Sequence, residues 1–141
     1  MNLDIVILAA GKGTRMQSSK PKVMQEFIGQ PFLERVVNTA RELNPNKIIP
    51  IIGYKADEIK NYFLNEKLDF VIQQEQLGTG HAVIQAIKEI TSQFTLILYG
   101  DVPLINKELL LKLMDVLKKT GIGLVTFDKS NPVGFGRIVR D

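Results

Sequence analysis

The sequence predicts an α/β domain in which a mostly parallel sheet is covered by helices on both faces. Three observations point there. Short apolar runs alternate with stretches of helical periodicity, the order expected of repeated strand–helix units. The strongest runs are continuous rather than alternating, as strands buried on both faces require. Polar or glycine-rich clusters follow three of the runs, which brings them to one edge of such a sheet.

In chain order, Leu3 to Ala9 reads as a buried strand, rich in isoleucine and valine and ended by glycine. Gly11 to Pro21 is a polar loop. Val23 to Ile28 leads into a turn at Gly29-Gln30, and Pro31 suits the first position of a helix. Phe32, Leu33, Val36, Val37, Ala40 and Leu43 form one apolar stripe along that helix. Lys47 to Tyr54 reads as a second core strand, with Pro50 an awkward member because proline removes a ladder donor. A short helix near Ala56 to Phe63 precedes a third strand, Phe70 to Gln73.

The stretch "QLGTG" leads into a helix from about His81 to Ile90, with Val83, Ala86, Ile87 and Ile90 expected inward. Thr95 to Tyr99 reads as the cleanest buried strand of the chain. A helix from Lys107 to Lys119 follows, with Asn106 placed to cap it. Ile122 to Phe127 reads as a last clear strand, and the tail "SNPVGFGRIVRD" as a loop entering another.

Composition narrows the setting. The 141 residues make one domain, and 45% are hydrophobic, enough to bury a core. No cysteine is present, which excludes disulfides and thiolate metal sites and fits a cytoplasmic location. No apolar run reaches the roughly twenty residues of a membrane span. "MNLDIVILAA" carries an acidic residue and no basic leader, unlike a signal peptide. The net charge of +3 comes from scattered lysines with no basic stripe, so no nucleic-acid partner is expected.

Chemistry should sit beyond the carboxyl ends of the strands. There the first strand ends in "AAGKGTR", the third in "QQEQLGTG", and "TLILY" in "GDVP". The first loop fits neither common phosphate pattern: Gly13 is followed by Thr14-Arg15 instead of a Lys-Ser/Thr pair, and Met16 stands where a dinucleotide loop has a third small residue. Ala9, Ala10, Gly11 and Gly13 nevertheless let a ligand approach backbone N–H groups. Arg15 and Lys22 supply two positive charges suited to a polyphosphate. Asp101, on a stiff strand-end support, suits magnesium, which takes oxygen ligands and keeps several waters.

Gln73 ends its strand on the same edge and could pair with a pyrimidine in either amide orientation, so it does not by itself select uracil over cytosine. Fixed backbone groups of Ala9-Ala10 or Gly78-Thr79 would have to break the tie. His81, the only histidine, reads as a structural or capping residue. No serine–histidine–acid or paired-carboxylate arrangement is discernible.

The motifs "LAAGKGTRM", "PKVM", "EQLGTGHA", "LYGDVPL" and "GFGRIVR" together resemble the bacterial N-acetylglucosamine-1-phosphate uridyltransferases over the whole chain. The first loop and "PK" are shared with many nucleotidyltransferases, including cytidylyl and thymidylyl enzymes; "QLGTGHA" with "LYGDVPL" is narrower. The resemblance implies a Rossmann-like nucleotidyltransferase fold that transfers UMP from UTP to N-acetylglucosamine-1-phosphate. It implies UDP-N-acetylglucosamine for cell-envelope polymers, and pyrophosphate, as products.

It further implies that Leu8, Ala9, Ala10 and Gly11 line the nucleotide, with Gln73, Gly78 and Thr79 around the base. Arg15 and Lys22 would hold phosphates; Tyr99, Gly100 and Gly136 would border the sugar, and Asp101 would bind Mg2+. The family's domain continues past Asp141 with a second metal ligand, and then with a trimer-forming acetyltransferase β-helix. Residues 1–141 are therefore expected to be an incomplete nucleotidyltransferase domain, a monomer alone, that binds nucleotide better than it turns it over.

Overall fold

A computed structural model describes residues 2–13 and 18–139. Its centre is a four-stranded parallel sheet of β1 (Leu3–Ala9), β4 (Lys47–Ile52), β5 (Val71–Ile72) and β6 (Phe94–Tyr99), in the order β5-β4-β1-β6. A separate two-residue-stranded hairpin, β2 (Glu26–Phe27) and β3 (Gln30–Pro31), precedes α1 (Phe32–Arg41). The hairpin turns at Ile28 and Gly29, both with positive φ, one residue earlier than the expected Gly29-Gln30. Two successive positive-φ residues match the right-handed twist of the flanking strands.

Helices cover both faces, as predicted, but unequally. On one side α1, α2 (Ala56–Tyr62) and α4 (Lys107–Thr120) bury Leu33, Val36, Ile59, Leu110 and Met114 against Leu3, Ile5, Ile7 and Ala9 of β1. On the other, α3 (Thr79–Ala86) alone packs Ala82 and Ala86 on Val6, Ile49 and Ile51. β1 is a continuous apolar run because its alternate side chains feed these two cores. The inward stripe of α3 is Ala82, Ala86 and partly buried Ile90; Ile87, expected inward, is 58% exposed. The helix runs from Thr79 only to Ala86, short of the expected Ile90, so Ile87 lies past its last regular turn, and its buried alanines let it lie close to the sheet.

Pro50 does sit inside β4, opposite Ile7. The carbonyls of Ile48 and Ile52 accept from Asp69 and Gln73 on the β5 side. Backbone groups alternate in direction along a strand, so the missing Pro50 donor faces β5, which pairs only at Ile51 and Ile52. The proline costs the sheet little there.

Two other expectations are corrected. β6 is one of the two edge strands, and Ile97 and Tyr99 are 45% and 52% exposed because α3 does not reach across them. Ile122 to Phe127 forms no strand: it finds no ladder partner among the described residues, and Ile122, Leu124 and Phe127 lie exposed. The following tail likewise enters no strand through Val139. By contrast α4 is capped as its sequence predicts, Leu109 N–H donating to Asn106 Oδ1 at 2.9 Å and Gly121 closing the far end with positive φ. Among the described residues, no helix is long and apolar enough to cross a membrane.

Candidate functional site

At the carboxyl edge of the sheet lies a cavity of about 310 Å³. Ten of the residues singled out from sequence line it: Leu8, Ala9, Ala10, Gly11, Lys22, Gln73, Gly78, Thr79, Tyr99 and Asp101. Three separate strand ends and the start of α3 thus converge, as the clustering of polar motifs predicts. Gly100 is buried beside the cavity without lining it, and Gly136 lies exposed in the C-terminal stretch and is not among the lining residues. Arg15 lies outside the described residues.

β1 delivers the first wall. Beyond it, Gly13 has φ +64°, and a Cβ there would come within 2.6 Å of Lys22 Cβ. The second glycine of the loop therefore does two things that a side chain forbids: it turns left-handed, and it lets Lys22 pass close by. Lys22 opens a single 3-10 turn, Lys22–Met24, whose Val23 and Met24 anchor it in the core.

The second wall comes from β6. Gly100 N–H donates to Leu8 O at 2.9 Å, continuing the β1 ladder one residue past the strand and fixing where Asp101 emerges. A Cβ on Gly100 would lie 3.1 Å from that same oxygen and 3.2 Å from Val23 Cγ1, so only glycine lets these three segments meet unstrained. Across the cleft, Lys22 Nζ lies 2.5 Å from Asp101 Oδ2. Sequence reasoning gave these two residues to separate ligands, phosphate and metal; the structure joins them as an ion pair.

Gln73 forms the third wall and is 3% exposed. Its backbone N–H donates to Ile52 O at 2.8 Å, extending the β4–β5 ladder. Its side-chain Nε2 donates to Gly78 O at 3.2 Å and lies 2.9 Å from His81 Nδ1. A carbonyl oxygen only accepts, so Gly78 fixes the amide: nitrogen toward the α3 start, Oε1 left with no protein partner among the described residues. His81 brackets the amide: its Nδ1 faces Gln73 Nε2, while its Nε2 lies 3.1 Å from Gln85 Nε2. The histidine thus holds Gln73, in keeping with its structural reading.

Val23, Gln76 and Ala82 also line the cavity and were not singled out from sequence. Ala82 was within reach, standing three residues after Thr79 on the same helix face. Among the described residues no three acidic or histidine side chains gather to cage a metal ion. Asp101 is, among the described residues, the one carboxylate lining the cleft.

The same sheet recurs in a nucleotidyl transferase from Methanothermobacter thermautotroptrophicus, with a TM-score of 0.73, 17% identity, and 80% of this chain matched to 56% of that one. HddC from Yersinia pseudotuberculosis, solved in complex with GMP-PN, matches with a TM-score of 0.63 and 33% identity over 79% of this chain and 54% of its own. The fold is that of the Rossmann-like nucleotidyltransferases. The chain belongs to the MobA-like NTP transferase domain family, whose model matches residues 5–139.

Within curated proteins, the chain is 50% identical over all 141 residues to the bifunctional protein GlmU of Pseudomonas savastanoi pv. phaseolicola. It is 47% identical over the same span to GlmU of Francisella tularensis subsp. novicida. It spans 31% of the length of each. The resemblance drawn from the loop motifs is borne out at this level.

Proposed function

We propose that this chain is the nucleotide-binding part of a uridyltransferase that moves UMP from UTP to N-acetylglucosamine-1-phosphate. A sugar-phosphate oxygen attacks the α-phosphorus, pyrophosphate leaves, and UDP-N-acetylglucosamine is released in the cytoplasm for cell-envelope synthesis. The observation that carries the base preference is the Gly78 carbonyl on the Gln73 amide. The free Oε1 is an acceptor for the N3–H of uracil, whereas cytosine presents an unprotonated N3 and would oppose oxygen to lone pair. The 50% identity to GlmU supports the same reading.

The roles follow from the lining. Leu8 to Gly11 receive the nucleotide, with Gly78 and Thr79 beside the base. Lys22, with Arg15 in the same loop, neutralises the phosphates, and Tyr99 and Asp101 face the sugar phosphate. To do this Lys22 exchanges Asp101 for a phosphate oxygen. Both side chains are part-exposed, and such a pair is worth about 1 kcal/mol or less, so the exchange is cheap.

Magnesium fits this donor set in one way only. A single carboxylate is a hard oxygen ligand but no cage, so Asp101 would hold the ion together with waters and nucleotide oxygens. Bound there, the ion would offset charge on the transferring phosphoryl group.

Calorimetry with UTP, CTP and GTP tests the base assignment: UTP should bind most tightly, and equal affinity for CTP would sink it. GTP belongs in the set because guanine also carries an imide N–H, and HddC was solved with GMP-PN. A second reading, nucleotide binding with little or no turnover, is favoured by Asp101 being the lone carboxylate of the cleft among the described residues. Pyrophosphate release from UTP, sugar phosphate and magnesium decides between them.

A further inference from the structure

A second cavity, of about 320 Å³, lies where one side of α1 meets the loop entering α4, and its lining includes Gln30, Arg35, Asn38, Thr39 and Asn106. None of these residues belongs to the nucleotide cleft. Arg35 Nε is buried and without a partner among the described residues, where it is the only such side-chain atom. The rest of the guanidinium makes one long bond, Nη1 to Gln30 Oε1 at 3.4 Å, and stacks over Phe27 with its carbon 5.3 Å from the ring centroid. No carboxylate of the described residues pairs with it. Its neighbour Glu34 instead accepts from Tyr62 Oη at 2.6 Å.

The remaining polar groups show a consistent imbalance. Gln30 Oε1 is taken by Arg35, Asn38 Oδ1 by Arg41 Nη1 at 3.4 Å, and Asn106 Oδ1 by Leu109 N–H at 2.9 Å. Those partners are obligate donors, so each amide must turn its oxygen toward them. The side-chain nitrogens of Gln30, Asn38 and Asn106, with Arg35 Nε and Nη2, are left as donors without acceptors among the described residues. Thr39 Oγ1 spends its proton on Ile105 O at 3.3 Å.

A buried cation edge and surplus donors call for one kind of ligand. We propose that this cavity is an anion site for a small phosphate-class oxyanion, gripped side-on by Nε and Nη2 of Arg35. Two parallel N–H···O bonds match one edge of a phosphate, and a tetrahedral anion has further oxygens for the amide nitrogens. A planar carboxylate has only two.

The test follows the Arg35 Nε–H resonance by NMR while the chain is titrated with inorganic phosphate, pyrophosphate or acetate. Phosphate or pyrophosphate should shift it saturably and acetate should not; which of the two binds more tightly tells a free-phosphate from a diphosphate ligand. Arg35→Lys keeps the charge and stem but loses the fork, and should weaken binding about tenfold or more. Thermal melting and UTP affinity of that variant check that the fold and the first cleft survive. Lys22→Ala should leave the second-site binding in place. The proposal is overturned by no saturable shift, by an equal response to acetate, or by binding that vanishes in Lys22→Ala and persists in Arg35→Lys.

Discussion

Lys22 and Asp101 neutralise one another across the cleft, Nζ to Oδ2 at 2.5 Å, although each belongs to a different strand-end loop. Removing one therefore alters the other's surroundings. Lys22→Ala should weaken UTP by more than the loss of one cation, because Asp101 then faces the phosphates unpaired. The loss should be larger for UTP than for uridine and should shrink as salt rises. Asp101→Asn should improve metal-free UTP binding and abolish its magnesium dependence, and the double variant should recover part of the lysine's loss. Calorimetry at two salt concentrations, with and without magnesium, measures all of this; strict additivity would show that the pair does not operate in solution.

Gln73 separates base recognition from stability. Gln73→Ala should cost uridine nucleotides about 1–3 kcal/mol of affinity. Gln73→Glu should cost more, since a carboxylate oxygen would then oppose the Gly78 carbonyl that now accepts from Nε2. If UTP affinity per folded molecule is unchanged in both, Gln73 does not read the base.

Gly13→Ala is expected to damage the first loop in two ways. Left-handed backbone costs a residue with a Cβ about 1–2 kcal/mol, and the new methyl would fall 2.6 Å from Lys22 Cβ. Lys22 would be displaced, so UTP affinity should drop while uridine affinity falls less. Equal losses for both would mean that the whole cleft had shifted.

Asp4 governs acid stability from the opposite edge of the sheet. It is fully buried, and burial alone would raise its pKa, but Thr91 N–H at 2.7 Å, Ser92 N–H at 2.8 Å and the Ser92 hydroxyl at 2.7 Å outweigh that. With the Lys47 charge also contributing, its carboxyl is held below the ordinary value. A folded-state pKa below the unfolded one stabilises the protein above the ordinary carboxylate range and is lost as pH falls through the depressed value. Asp4→Asn should cost roughly 2 kcal/mol near neutral pH and flatten the acid limb of the stability profile. Parallel profiles for the two proteins, from denaturant melts across acid pH, would refute this.

Periodicity made the sheet, α1 and the Asn106 cap legible, because each depends on neighbours a few residues apart. It could not tell an interior strand from an edge one: the apolar run of β6 says that it pairs, not that Ile97 and Tyr99 lack a helix above them. Nor could β-favouring residues at Ile122 to Phe127 supply the partner that a ladder needs. The cleft was legible wherever its residues sit at strand ends. The Lys22–Asp101 pair and the bonds from Asp4 to Thr91 and Ser92 were not, since they join segments far apart in sequence. The bonds that leave surplus donors around Arg35 are local, three to five residues apart, but only the fold brings Asn106 beside α1.

The group that orients Gln73 is a main-chain carbonyl. A substitution at position 78 keeps the oxygen but not its place, because Gly78 has φ +106°, which a residue with a Cβ holds only under strain. A shift in base preference must then arise by replacing Gln73 itself or by redrawing the path of the backbone into α3. For anyone retargeting this cleft to another nucleobase, single-site libraries at lining positions other than Gln73 and Gly78 would leave the discriminating contact untouched, whereas loop insertions or deletions between Gln73 and Thr79 would reach it.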